Sequence, residues 1–170
     1  MKRILLIATG GTIACKQTAS GLAPQLGAKE LLSYVRDRAE NVESIELFRM
    51  DSSNVQPEEW RAIAQAVADN MHNADGIVIT HGTDTMAYTS SMLSFMLRGI
   101  KIPVVLTGAQ YPMGMDGSDA AANLGDALTA ARELSGGVYI AFGGSVILGC
   151  RAVKTRTMSL LSLIHISEPT

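Results

Sequence analysis

Hydroxyl-bearing residues gather at two glycine-containing turns, Thr9-Gly10-Gly11-Thr12-Ile13-Ala14 and Thr80-His81-Gly82-Thr83-Asp84-Thr85-Met86, each directly behind an apolar run. A threonine hydroxyl is a poor nucleophile at neutral pH and needs a group that takes its proton. Lys154, in Cys150-Arg151-Ala152-Val153-Lys154-Thr155, meets that need where it is buried, because desolvation disfavours the ammonium and leaves an amine able to accept a proton. Asp84 can hold that lysine or grip the ammonium of an amino-acid substrate. At a third turn, Asp51-Ser52-Ser53-Asn54 offers partners for a carboxylate. Backbone amides at the Gly10-Gly11 turn can steady an oxyanion. The chemistry these residue types suit is nucleophilic attack by a threonine.

Each of these features also has a plainer explanation. Asp84 and Thr85 can cap a following helix, Asp51 to Asn54 can form an Asx/Ser turn, and Gly10-Gly11 can serve only a tight strand-to-helix turn. The first turn lacks the G-x-G-x-x-G spacing of a dinucleotide site and the G-K-[ST] ending of a phosphate-binding loop.

The elements that must carry these turns are legible in the apolar pattern. Short β-rich runs fall at Arg3–Ala8, Ile45–Met50, Gly76–Thr80, Ile102–Thr107 and Val138–Phe142. Helical spacing separates them. From Gln56 to Met71, Pro57 takes a first-turn position, Glu58 and Glu59 favour the helix dipole, and Trp60, Ile63, Ala64, Val67, Ala68 and Met71 recur on one face. Thr85 to Leu97 carries Met86, Leu93, Phe95, Met96 and Leu97; Ser118 to Leu134 carries Ala121, Leu124, Leu128, Ala131 and Leu134 before Gly136-Gly137. Continuous apolar strands alternating with helices predict an α/β fold, a doubly wound, mostly parallel sheet with flanking helices. In such a sheet the ligand crevice lies at the carboxyl ends of the strands, where the threonine turns fall.

Composition narrows the function classes. The chain has 170 residues, 47% hydrophobic and 18% charged, with 14 basic against 16 acidic residues and a net charge of −2. That balance offers no electrostatic footprint for nucleic acid or an anionic membrane, and it suits a small, nearly neutral ligand. Cys15 and Cys150 stand outside any CxxC or metal-ligand spacing and are expected to be reduced packing residues. Of the histidines, His72 is expected at the surface and His81 is read as an isolated imidazole, so neither a metal nor a cofactor is expected. The apolar run after Met1-Lys2-Arg3 lasts about five residues, short of a signal-peptide core. It is read as a first strand, which makes the expected location cytoplasmic. No apolar stretch approaches the roughly 20 residues that span a bilayer.

The end of the chain reads differently. Leu161 to Thr170, LSLIHISEPT, continues neither a helix nor a βα unit and resembles, residue for residue, the translation of a transposase adapter from sequencing libraries. It is therefore set apart from the fold, whose domain is expected to cover residues 1–160. His165 lies in that set-apart tail.

Taken together, Thr9–Ala14, Asp51–Asn54, Thr80–Met86, Thr107-Gly108-Ala109-Gln110 and Arg151–Lys154 resemble the bacterial L-asparaginase family in order and approximate spacing, over Met1 to Leu160. Met50–Asn54 and Ala87-Tyr88-Thr89 are more similar to its type I, cytoplasmic branch. The resemblance implies hydrolysis of L-asparagine to aspartate and ammonia, with minor glutaminase activity. Thr12 would form a β-aspartyl ester, Thr83 with Lys154 would activate the nucleophile or water, Asp84 would bind the substrate α-ammonium, and Ser52 with Ser53 the α-carboxylate. The family's mobile loop usually carries a catalytic tyrosine where this chain has Leu22, and no catalytic role passes to Leu22. The family also has a second, smaller α/β domain, missing here, and forms homo-oligomers in which a neighbouring subunit closes each site. The chain as written is accordingly expected to be an amino-terminal domain with little activity. Two rival readings remain at this stage: the asparaginase-like component of a tRNA-dependent amidotransferase, which usually has an additional amino-terminal module, and a noncatalytic amino-acid-binding module.

Overall fold

Every residue of the first strand, β1 (Ile4–Gly10), is buried, because the sheet it helps form is covered on both faces. A computed structural model of the chain describes residues 1–157 and 159–165. After β1 come β2 (Cys15–Thr18), β3 (Gly21–Pro24), α1 (Ala28–Ser33), β4 (Val42–Met50), α2 (Pro57–Asn70), β5 (Gly76–Thr80), α3 (Met86–Met96), β6 (Pro103–Thr107), α4 (Ala120–Glu133), β7 (Gly137–Phe142), β8 (Ser145–Leu148), β9 (Ala152–Lys154) and β10 (Leu163–His165). The main sheet runs β4-β1-β5-β6-β7-β8. All of its neighbours are parallel except β8, which returns antiparallel beside β7. The doubly wound, mostly parallel sheet expected from the sequence is the fold observed.

Side chains of each strand alternate between two cores, as the period of two requires. Ile4, Leu6 and Ala8 of β1 join Val78, Val105, Leu124, Leu128 and Leu31 on the face covered by α1 and α4. Leu5 and Ile7 join Ile77, Ile79, Val104, Leu106, Ile63, Val67 and Leu93 on the face covered by α2 and α3. Fully burying such an aliphatic side chain stabilises by about 1.5–3 kcal/mol, so the sheet centre is the most strongly held part of the molecule. Pro103 stands at the first position of β6, where its missing N–H interrupts the ladder least.

Helix signals act as read, with local differences. Pro57 opens α2, and the Glu59 carboxylate accepts the Gln56 N–H at 2.7 Å, satisfying a donor that the first turn leaves unpaired. Its buried face is Ile63, Ala64, Ala66 and Val67; Ala68 and Met71 are only partly covered. In α3, Met86 and Leu93 enter the core, whereas Phe95 is 73% exposed and Met96 also faces out, because the sheet can cover only one side of that helix.

Three strand pairings are not evident in the apolar pattern. β2 and β3 form an antiparallel hairpin over the residues read as a loop. Gly143 and Gly144, at φ 60° and 76°, make the tight turn between β7 and β8, a conformation glycine adopts without steric cost. Leu163–His165, set apart as a tail outside the fold, pairs antiparallel with β9; the remainder of that tail, residues 166–170, lies outside the described residues. Cys15 is buried, but Cys150 is exposed, so only the former packs.

Candidate active site

Parallel order sets the position of the cleft. Counting parallel strands, β1 and β4 are neighbours, the chain then crosses to β5 on the other side of β1, and winding continues outward. The reversal at β1/β5 is the topological switch point, where loops diverge and leave a crevice. Register puts the strand ends level: Ala8 pairs with Thr80 and Thr80 with Thr107. Turns whose cleft residues lie from 27 (Thr83 to Gln110) to 98 (Thr12 to Gln110) positions apart must therefore meet.

They meet at contacts that admit little else. Gly10 and Gly11 adopt φ 100° and 77°. A Cβ on Gly11 would overlap the Gly82 backbone, and one on Gly82 would overlap Ser52. The Gly11 N–H donates to Met50 O at 2.9 Å and the His81 N–H to Thr107 O at 2.8 Å. Thr85 Oγ1 donates to Ser52 O at 2.8 Å. Asp51 accepts both the N–H and the hydroxyl of Ser53 at 2.9 Å, so the Asx turn forms and turns the buried Ser52 towards the cleft.

The cleft, of about 220 Å³, is lined by Thr12, Ser52, Thr83, Asp84, Gln110 and Lys154, with Leu22 and Tyr111 at its walls. Of the sequence-predicted residues, Thr12, Ser52, Thr83, Asp84 and Lys154 come together here. Ser53 does not line it, since its hydroxyl is engaged by Asp51. Thr12 sits in a short 3-10 turn, Thr12–Ala14, and its hydroxyl has no hydrogen-bond partner among the described residues, which leaves it available to a ligand.

Lys154 reaches this cleft by an indirect route. After β8 the chain passes Gly149, whose carbonyl accepts the Ser90 hydroxyl of α3 at 2.9 Å, and β9 then runs beside α3. Lys154 Nζ donates to Thr83 Oγ1 at 3.0 Å and to Asp84 Oδ1 at 2.6 Å. The lysine side chain is only 14% exposed while the aspartate is 56% exposed. Of the two tasks weighed for Asp84, holding the lysine is the one seen. Helix capping is not: no side-chain cap bond is made at Thr85, and Asp84 faces Lys154.

The Thr83 hydroxyl accepts from Lys154 and donates to Gln110 Oε1 at 3.1 Å, while Gln110 Nε2 donates to Thr157 O at 2.7 Å. Asp119 holds the Gln110 turn by accepting the N–H groups of Gln110 and Tyr111 at 3.0–3.1 Å. Sequence reasoning gives Gln110 no task and passes over Asp119 and Tyr111. The available signal was position, because all three lie in the segment that follows β6, next to the switch point.

His81 is not the isolated imidazole expected. It is buried, with Nδ1 2.7 Å from Gly82 O and Nε2 2.9 Å from Thr89 Oγ1. Burial pushes its pKa below the ordinary value, a fall partly opposed by the Gly82 bond. His72 is exposed, as expected. Burial first, and the nearby Asp51 charge second, raise the Cys15 thiol pKa, so Cys15 lines the cleft as a weakly acidic thiol. Among the described residues no three His, Cys, Asp or Glu side chains are grouped to hold a metal, and no helix is long and apolar enough to cross a membrane.

Comparisons with known proteins bear on the family and the fold. Residues 3–169 match the family model "Asparaginase, N-terminal". An L-asparaginase of Thermococcus kodakarensis is 44% identical over 98% of this chain and 52% of its own length. A component of the glutamyl-tRNA(Gln) amidotransferase of Archaeoglobus fulgidus is 40% identical over 90% of this chain and 38% of its own. Among solved structures, the thermostable T. kodakarensis L-asparaginase superimposes with a TM-score of 0.91 over 98% of this chain and 52% of that one. A protein described as a probable cytoplasmic L-asparaginase from Campylobacter jejuni gives 0.82 at 30% identity, over 96% of this chain and 51% of that one. The chain thus spans about half the length, or less, of the relatives it matches. With the switch-point cleft, its threonine turns and a family match across residues 3–169, the chain belongs to the asparaginase family and represents its N-terminal domain.

Proposed function

We propose that the protein, completed by the second domain of its family, hydrolyses L-asparagine to L-aspartate and ammonia. The observation that carries this is the convergence of Thr12, Thr83, Asp84 and Lys154 on one polar cleft. Thr12 Oγ1 attacks the side-chain amide carbon; its C–N bond breaks, ammonia leaves with the hydroxyl proton, and a β-aspartyl ester remains. Water then cleaves that ester, returning the proton to Thr12. Thr83 and Lys154 handle protons in both halves. Lys154 donates to Thr83 and Asp84, and a substrate ammonium bound at Asp84 competes for that carboxylate. This loosens Lys154 towards Thr83. Ser52 takes the substrate α-carboxylate.

Minor glutaminase activity and a cytoplasmic location belong to the same proposal. So does assembly into a homo-oligomer, supported by an apolar stripe that α3 leaves uncovered: Tyr88, Met92, Phe95 and Met96 are all exposed at helical spacing. The test is ammonia release from L-asparagine and L-glutamine by the protein extended through its second domain, run beside the 170-residue chain. Activity confined to the longer protein supports the reading. Silence in both overturns it.

The amidotransferase relatives favour one alternative, in which the same cleft releases ammonia for a partner enzyme. Ammonia release that requires a partner and charged tRNA would select it.

A further inference from the structure

Three side chains between the sheet and the helices form a hydrogen-bond chain whose polarity is fixed by its ends. Trp60 Nε1, on α2, lies 2.9 Å from Thr89 Oγ1 on α3. An indole N–H only donates, so Thr89 accepts there. At the other end, His81 Nδ1 lies 2.7 Å from the Gly82 carbonyl, which only accepts, so Nδ1 carries a proton. A neutral ring then has a bare Nε2, and Thr89 has one proton to give it across 2.9 Å. Every atom is satisfied in this single arrangement. The opposite tautomer would face a nitrogen lone pair against a carbonyl oxygen in a site 1% exposed, where an unmet polar group is costly.

What the chain holds is the Gly82 peptide, the point where the Thr12, Ser52 and Thr83 turns touch. No Cβ fits on either Gly11 or Gly82, so a rotation of this peptide moves all three turns together. We propose that His81, as an Nδ1–H imidazole locked by Thr89 and Trp60, is a positioning residue that sets the Gly82 peptide and through it the Thr83 hydroxyl and Asp84 carboxylate; its catalytic consequence rests on the hydrolytic reading above. No ionised side chain is among its hydrogen-bond partners, and burial favours the uncharged ring. The relay makes the packing of α2 against α3 a determinant of cleft geometry.

Isosteric substitutions separate the two ends of the ring. His81→Asn keeps an amide N–H near the Nδ1 position, whereas His81→Gln places its amide nearer Nε2 and leaves Gly82 O unpaired. In the two-domain protein, His81→Gln is expected to lower kcat about a hundredfold, the scale of a 1 Å misplacement, with His81→Asn recovering most of it. Trp60→Phe and Thr89→Val lower kcat more than they alter KM. Two spectroscopic readouts do not depend on turnover. In the ¹⁵N-labelled 170-residue chain the His81 ring is expected to be neutral with its proton on Nδ1, and Thr89→Val is expected to shift the amide signals of Gly82, Thr83 and Asp84. A proton on Nε2, unmoved amide signals, or equal kcat in the Asn and Gln variants overturns the positioning role. A wild-type protein that releases no ammonia, with both spectroscopic results as expected, removes the hydrolytic reading alone and supports the positioning of this turn.

Discussion

Lys154 Nζ stands 3.0 Å from Thr83 Oγ1 across 71 residues of sequence, and that separation is closed at its far end by β8, a 3-10 turn and β9 rather than by a parallel crossover. The lysine is fastened to an exposed aspartate on one side and a buried threonine on the other, so the contact that ties the two together is also the one the proposed mechanism uses. Replacing it by Met, which keeps much of the stem, leaves Asp84 free in solvent and removes the proposed proton carrier. In the two-domain protein Lys154→Met should lower kcat by about 10²–10⁴, the usual worth of a positioned acid–base group. Ammonia release measures the loss, and an unchanged far-ultraviolet circular dichroism spectrum separates it from unfolding.

The two threonines should differ in stability cost even though the proposed mechanism needs both. Thr12 has no hydrogen-bond partner to lose among the described residues, so Thr12→Ala should change stability by less than about 0.5 kcal/mol. Thr83 accepts from Lys154 and donates to Gln110, so Thr83→Ala should cost about 1–2 kcal/mol. Urea midpoints compare the pair, and near-normal turnover in either variant would remove that residue from the mechanism.

Gly11→Ala combines a residue at φ 77° with a methyl group overlapping the Gly82 backbone. A destabilisation on the order of 3 kcal/mol is expected. Gly21→Ala is the control, since φ is also positive there but nothing lies within 4 Å of a new Cβ. Equal urea midpoints for the two variants would show that packing of the turns contributes little.

Acid should destabilise the fold in two separable windows. His81 has a lowered folded-state pKa, so the unfolded chain binds the extra proton first. Its contribution is present above the ordinary histidine value of about 6.5 and declines as pH falls through it, levelling off below the folded value. Glu30 and Glu46 are lowered chiefly by hydrogen bonds from the Gly27 N–H and from Arg49 respectively. Their contributions are present above the ordinary glutamate value of about 4.3 and fall away as pH drops through their folded values. Unfolding free energy measured from pH 8 to 3 in wild type and His81→Asn should show the upper slope only in wild type.

Residues 161–170 carry a provenance prediction of their own. Genomic DNA read across Leu160 is expected to diverge from the codons for LSLIHISEPT; identical codons in independent reads would make the strand β10 a native element.

The strands at Ile4–Gly10, Gly76–Thr80 and Pro103–Thr107 and the helices α2 and α4 were legible because their apolar period is strong and their ends carry turn or cap residues. Thr12, Ser52, Thr83 and Asp84 were legible because local spelling places them at strand ends, where a parallel sheet opens its crevice; Lys154 reaches that crevice from β9, outside the parallel sheet. The β2–β3 hairpin was not, since its strands are four residues each and largely exposed, with no buried face to impose a period. Nor was the service of Gln110 and Asp119 to Thr83, or of Trp60 and Thr89 to His81. Those pairings join residues 8 to 29 apart in sequence through distances of a few ångströms, and hydrogen bonds of that reach depend on the packed positions of whole elements. The amino-acid sequence by itself determined which side chains could do chemistry and which layers would carry them; the tertiary structure alone decided which hydroxyl keeps its lone pairs free, because that depends on every neighbour that could have claimed them.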